Sequence, residues 1–464
     1  IISIVQLETF LSSKNLDNSF ILSIFASITD LFSKINMAGL YIHIPFCESR
    51  CIYCGFYSTT SLKLREAYVD ALCKEMQLRP IASEIEENTM METDCKSKAD
   101  EKMDTIYLGG GTPSQLSGKQ LMRLFEGIKT YIGGGEREER RVMSDESKDG
   151  ENEERRGKSD EFDGEKGDKV FEGMEITMEC NPDDVTDEFC ETLRKLPVNR
   201  ISMGAQTFSD DRLRFLHRRH NAAEVKTAVE RLRAIGIQNI SIDLMFGFPG
   251  ETIDDWKNDI LEAIRLGVEH ISAYSLMYEE GTALYRLLAQ GKIAEIDEET
   301  SRQMYETLIT TLTQAGYEHY EISNFARLGY RSRHNSSYWH EIPYIGLGAA
   351  AHSYNKSTRT WNVDDINEYI AQINLGKRPY EGEKLDLTTR YNDLITTALR
   401  TSDGIDLAHM QQEFGNPLAQ QLLNEAQKHI DRGLMKIKDG KLSLTRKGLY
   451  ISDDVMSDFM LVDE

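Results

Sequence analysis

The chain has 464 residues, 40% of them hydrophobic, and a formal net charge of −23. That length accommodates two or three domains with a substantial core, and the acidic balance excludes general nucleic-acid binding, which needs clustered Lys and Arg. No apolar run reaches the ~18 residues of a membrane span, so the composition predicts a cytoplasmic protein whose partners are small ligands or other proteins.

Residues 1–36 carry an apolar patch, Phe20–Phe25, without the basic start or small-residue cleavage site of a signal peptide. Met37 precedes a natural first strand, so the expected start of the protein is Met37, with 1–36 an N-terminal extension of the reading frame. The other reading of 1–36 is a short docking helix.

The first strand, Leu40–Ile44, runs into Pro45-Phe-Cys-Glu-Ser-Arg-Cys-Ile-Tyr-Cys54, a C-x3-C-x2-C run. Iron–sulfur clusters are commonly held by four thiolates, so three on one short loop, Cys47, Cys51 and Cys54, suggest a cluster with one iron open to a ligand. The bland reading is three unrelated thiols. Seven cysteines is an odd number, which argues against a disulfide framework, and Cys73, Cys95, Cys180 and Cys190 read as buried small hydrophobes.

Two polar stretches, near 84–103 and 133–173, are dense in charge and poor in apolar residues. They bury too little to offset chain entropy and are expected to be disordered insertions. Around them, strands are predicted at Leu40–Ile44, Thr105–Leu108, Glu175–Glu179, Arg200–Met203, Ile240–Leu244 and His270–Ser275, each followed by a loop and a helical period such as Thr252–Leu266. Six strand–helix units imply an α/β fold with a parallel sheet, a partial (β/α)6 barrel over 37–275. Ligands in such folds sit at the C-terminal strand ends. There the sequence places Gly110, Gly111 and Thr112, then Glu179, Gln206 and Asp243. Each alone is as readily a satisfied buried polar group; the set in register around one rim points to a ligand.

These residues, with Tyr41-Ile-His-Ile-Pro-Phe-Cys47, Leu108-Gly-Gly-Gly-Thr-Pro-Ser114, Arg200-Ile-Ser-Met-Gly-Ala-Gln-Thr-Phe208 and Asp243-Leu-Met-Phe-Gly-Phe-Pro-Gly250, resemble the radical S-adenosylmethionine (SAM) enzymes of the coproporphyrinogen III dehydrogenase-like family. The resemblance runs from about Gly39 to the C-terminus outside the two insertions. It implies a [4Fe-4S] cluster on Cys47, Cys51 and Cys54, with SAM on the open iron. It also implies a SAM site of Gly110, Gly111, Thr112, Glu179, Gln206, Arg218 and Asp243, with Tyr41 and Tyr53 nearby. The implied chemistry is one-electron cleavage of SAM to a radical that abstracts hydrogen.

Within that family the resemblance carries two readings. The dehydrogenases, oxygen-independent coproporphyrinogen III oxidases of porphyrin biosynthesis, carry a fourth cysteine two positions past the third, where this chain has Phe56. The sister branch binds heme and delivers it to respiratory proteins of the membrane, and resembles this chain at Phe56. Arg333-His-Asn-Ser-Ser-Tyr-Trp339 resembles that branch as well. It offers His334, Asn335, Tyr338 and Trp339 as heme contacts, within a barrel-capping region over 276–386. From the residues alone His334 reads equally as a hydrogen-bonded core histidine; His352 is a second, weaker candidate. A third reading, of another class, is a cluster that is only structural or redox-sensing.

From 387 to 464 helices at Thr388–Leu399 and Pro417–Arg432 precede a hairpin, Met435–Ile437 and Lys441–Leu444, turning at Asp439-Gly440. The pattern predicts a winged-helix-like domain. It has no concentrated basic face, so it reads as a lid or docking module and not as a DNA reader.

Overall fold

The computed structural model describes residues 39–81, 103–133 and 168–462. The extension 1–36, Cys95 and most of both predicted insertions lie outside the described residues. Of the second insertion, Asp168–Phe171 forms a 3-10 turn, and Phe171 packs against the main core.

Six strands, β1 (Gly39–Ile44), β2 (Thr105–Gly110), β3 (Glu175–Cys180), β4 (Arg200–Gln206), β5 (Asn239–Phe246) and β6 (His270–Ser275), pair in parallel in chain order. They form the partial (β/α)6 barrel. Strand alternation decides what each wall shows: Leu40, Ile42 and Ile44 are fully buried under the outer helices, and Tyr41 and His43 point the other way.

The helices start where the sequence supplies caps. Ser117–Gln120, Asn221–Glu224 and Thr252–Asp255 each form a reciprocal capping box ahead of Gly118–Ile132, Ala222–Ala234 and Ile253–Leu266. Gly267 ends the last of these in a left-handed conformation, φ 64°. Trp256, fully buried, stacks obliquely on Phe246 and donates its indole N–H to the Met304 carbonyl at 3.0 Å, tying two outer helices together.

The segment 276–386 extends the barrel sheet at both edges. On one edge β7 (Glu318–Glu321) and β8 (Asn324–Ala326) add antiparallel to β6; on the other, β9 (Tyr344–Leu347) adds parallel to β1, followed by β10 (His352–Tyr354), β11 (Thr358–Asn362) and β12 (Tyr380–Lys384). A buried knot locks this second edge. Glu75, fully buried, accepts from the Gly348 N–H, Tyr369 O–H, Asn362 amide and Arg79 guanidinium at 2.6–3.0 Å.

Beyond Leu387 a separate core forms around Tyr391, Leu394, Ile395, Met410, Leu422 and Leu442. Its helices are Leu387–Ala398 and Leu407–Asp431, the latter broken at Gly415 (φ 78°) two residues before Pro417. The expected hairpin is present as β14 (Met435–Lys438) and β15 (Lys441–Leu444), with positive φ at Asp439 (52°) and Gly440 (75°) as a tight primed turn requires. A two-residue strand, β13 (Ile405–Asp406), completes the small sheet.

Candidate functional site

A cleft opens at the C-terminal ends of the barrel strands. Cys47, Cys51, Cys54, Tyr53, Gly110, Gly111, Thr112, Glu179, Gln206, Arg218 and Asp243 all line it. Tyr41 does not: its hydroxyl bonds His43 Nδ1 at 3.0 Å inside the barrel.

The cysteine loop leaves β1 and is held against its neighbours by backbone bonds, Cys47 N–H to the Thr59 carbonyl and Ile52 N–H to the Leu216 carbonyl. A charged latch closes over it, because Arg219 pairs with Glu48 on the loop and with Asp183 and Asp184 beyond β3. Burial pushes the Cys47 and Cys54 thiols up. Three half-buried sulfurs facing one cleft are a donor set for a soft metal, and a bound cation would offset the burial that keeps Cys47 and Cys54 as thiols. The residues therefore fit an iron–sulfur cluster.

Arg218 reaches the same place from below. Its guanidinium lies 3.5 Å from Cys51 Sγ and donates to Asn181 Oδ1 at 2.7 Å and the Gly204 carbonyl at 2.8 Å. Burial draws its pKa down, but Tyr53 and Cys51 outweigh that and hold it raised.

The glycine run after β2 is required by space. A Cβ on Gly111 would stand 2.7 Å from the Pro45 carbonyl carbon, and one on Gly110, at φ 108°, would run into the His43 ring. Gly110 N–H donates to Glu179 Oε2 at 3.1 Å, while Tyr107 O–H donates to the other oxygen at 2.7 Å. Burial pushes the Glu179 carboxyl up to about 7, with Asp243 adding repulsion and Tyr107, Gly110 and Arg200 opposing. Asp243 is likewise pushed to about 6 by burial, against the pull of Ser272, Arg200 and Arg218. Gln206 sits at a β4 irregularity with φ 66°, a costly conformation for a non-glycine residue that aims its amide into the cleft. Glycine amides, two carboxylates, an amide and a guanidinium around three thiols suit a ligand with an amino acid end and a ribose, as SAM has.

The predicted heme residues lie elsewhere. His334 is 1% exposed and sits by the starts of β1, β2 and β3, with Thr105 Oγ1 on Nδ1 at 2.8 Å, Tyr338 O–H on Nε2 at 2.8 Å and its own N–H on Glu175. Tyr107 stacks on its ring, and burial together with the Arg200 charge lowers its pKa to about 3. Neither ring nitrogen is free in this conformation. Asn335, Tyr338 and Trp339 share the short Arg333–Trp339 helix and are half-buried. His352 is exposed against Trp361 on the β10–β11 edge.

Sequence reasoning missed Asn181, Arg219, His217, His220 and Cys180, which also line the cleft. Asn181-Pro182 directly after Glu179 was the available signal. Arg219 is one of four arginines crowded into 212–219, and only tertiary pairing separates them.

The model of the radical SAM superfamily matches residues 41–263, and that of the HemN C-terminal domain matches 385–451. A Bacillus subtilis protein named heme chaperone HemW is 33% identical over 91% of this chain and 99% of its own length. The Lactococcus lactis heme chaperone HemW is 30% identical over 93% and 99%. Among solved structures, coproporphyrinogen III oxidase (HemN) from Escherichia coli, a radical SAM enzyme, superposes with a TM-score of 0.68 at 19% identity, covering 91% of this chain and 90% of that one. That likeness establishes the shared fold.

Proposed function

Because this chain belongs to the HemW family of radical SAM proteins, we propose that it is a heme chaperone, which binds heme and passes it to heme-accepting respiratory proteins. The observation that carries the reading is the match to those relatives over 91–93% of this chain and 99% of theirs. Phe56 supports it: the position where the porphyrinogen oxidases would carry a fourth thiol holds a 72% exposed phenylalanine at the mouth of the cleft.

In this reading Cys47, Cys51 and Cys54 hold a [4Fe-4S] cluster. Gly110, Gly111, Thr112, Glu179, Gln206, Arg218 and Asp243 hold SAM, with Tyr53 beside them. A SAM-ligated cluster supplies one-electron cleavage of a carbon–sulfur bond. The chain's own part is positional: Arg218 fixes Cys51 and the end of β4, the glycines admit the ligand to the backbone, and Glu179 is kept in place by Tyr107 to accept from ribose hydroxyls. Heme contact through His334, Asn335, Tyr338 and Trp339 requires the Arg333–Trp339 helix to loosen, since His334 must give up Thr105 or Tyr338 to reach iron.

The test is an anaerobic heme titration of the cluster-loaded protein, wild type and His334→Ala, followed by absorbance, beside an assay with coproporphyrinogen III, SAM and reductant. Stoichiometric heme retention without decarboxylated porphyrin supports the chaperone; decarboxylated product overturns it. A His334→Ala protein that keeps the wild-type heme spectrum removes His334 as the ligand but not the carrier role.

A further inference from the structure

The geometry points to a second metal site, remote from the cleft, that takes a zinc-like divalent cation on Glu425, His429 and Asp458. Glu425 and His429 stand four residues apart on one face of the Leu407–Asp431 helix. Asp458 caps the Ser452–Ser457 helix at the end of the described chain. One donor atom from each of the three lies within 4.8 Å of the others.

His429 is what distinguishes this cluster from an ordinary surface group. It is 2% exposed, yet neither ring nitrogen makes a hydrogen bond. Nε2 lies 3.2 Å from Asp458 Oδ2, a hydrogen-bonding distance without hydrogen-bonding alignment. A buried imidazole without an aligned hydrogen-bond partner is costly, and a cation held between it and the two carboxylates would remove that cost.

Phe459 packs against the imidazole ring with centroids 5.5 Å apart, fixing its plane. Access remains from the surface, because Asp458 is 54% exposed. Glu425 is held by the exposed ammonium of Lys428 at 2.6 Å, and an exposed pair of this kind is easily exchanged for a stronger cation. Imidazole with two carboxylates is a borderline donor set that suits Zn2+, with water completing a tetrahedron. Bound there, the cation would staple the last helix to the long helix of the C-terminal module.

The experiment uses the full, cluster-loaded protein and Zn2+ alone, kept anaerobic. Zinc X-ray absorption and calorimetry are compared for wild type, His429→Gln and the surface variant Asp458→Asn, which leaves the buried ring in place. The expected result is one zinc per chain with only nitrogen and oxygen neighbours at ~2.0–2.2 Å. It should raise the unfolding midpoint of wild type, and Asp458→Asn should weaken binding at least tenfold and abolish the rise. Three results overturn the proposal: no zinc bound, zinc with sulfur neighbours at ~2.3 Å, which would place it at the cysteines, or wild-type affinity in Asp458→Asn.

Discussion

Gly110→Ala tests whether the glycine run is set by contact or by backbone conformation alone. The residue has φ 108°, and an added Cβ would stand 2.8 Å from His43 Nε2 and closer still to Cε1 and Nδ1. Left-handed backbone costs an alanine about 1–2 kcal/mol. The His43 ring must then move, giving up Tyr41 O–H on Nδ1 and the Tyr57 carbonyl on Nε2, at about 0.5–1.5 kcal/mol each. The total is about 2–5 kcal/mol. Gly236→Ala is the control, because its φ is 95° and nothing lies within 4 Å of its added Cβ, so it carries only the conformational cost of about 1–2 kcal/mol. Denaturant unfolding of both variants gives the difference, and SAM affinity should fall about tenfold or more in Gly110→Ala alone as Gly110 N–H leaves Glu179. Equal destabilisation of the two variants would refute the contact argument.

Three further outcomes follow from the same geometry. Glu179 has a folded pKa of about 7 against an ordinary 4.5, so the folded chain holds its proton longer than the unfolded chain. Its contribution to stability is complete below pH 4.5 and is lost as pH rises through 7; Glu179→Gln should flatten that part of a stability–pH curve, and an unchanged curve would count against the burial argument. Arg218→Lys keeps the charge but loses the fork to Asn181 and the Gly204 carbonyl, so iron retained after reconstitution and SAM affinity should both fall; wild-type values of both would remove Arg218 from the site. His334→Ala strips a buried partner from Thr105 and Tyr338 and leaves a cavity, which should cost about 2–5 kcal/mol by chemical denaturation whatever it does to heme. A loss below about 1 kcal/mol would mean the ring is less tightly held than its bonds imply.

The barrel was legible because its signals are local. β1 begins one residue before the predicted Leu40, and β6 has the predicted bounds His270–Ser275; alternation and capping residues act over a few positions. The rim residues were legible for a related reason: a carboxylate set late in a strand, Glu179 in β3 or Asp243 in β5, breaks an apolar pattern that otherwise continues. The edge strands β7 to β12 were not, since at three to five residues they are too short for an alternation to register, and Tyr380–Lys384 is also exposed throughout. His334 shows the limit most clearly. Its helix is seven residues long, and nothing in Arg333-His-Asn-Ser-Ser-Tyr-Trp339 reveals that Thr105, over two hundred positions earlier, occupies one ring nitrogen. The latch of Arg219 with Glu48 and Asp184 is equally a product of tertiary folding.

A heme chaperone must both hold heme and hand it on. The most direct measurement loads the cluster-containing protein with heme under anaerobic conditions, removes free heme, adds a heme-free respiratory acceptor and follows heme from one protein to the other by absorbance. A heme carrier gives stable one-to-one loading followed by transfer to the acceptor, with no porphyrinogen decarboxylated in the parallel reaction. Heme that washes off before the acceptor is added, together with decarboxylated product, would contradict it.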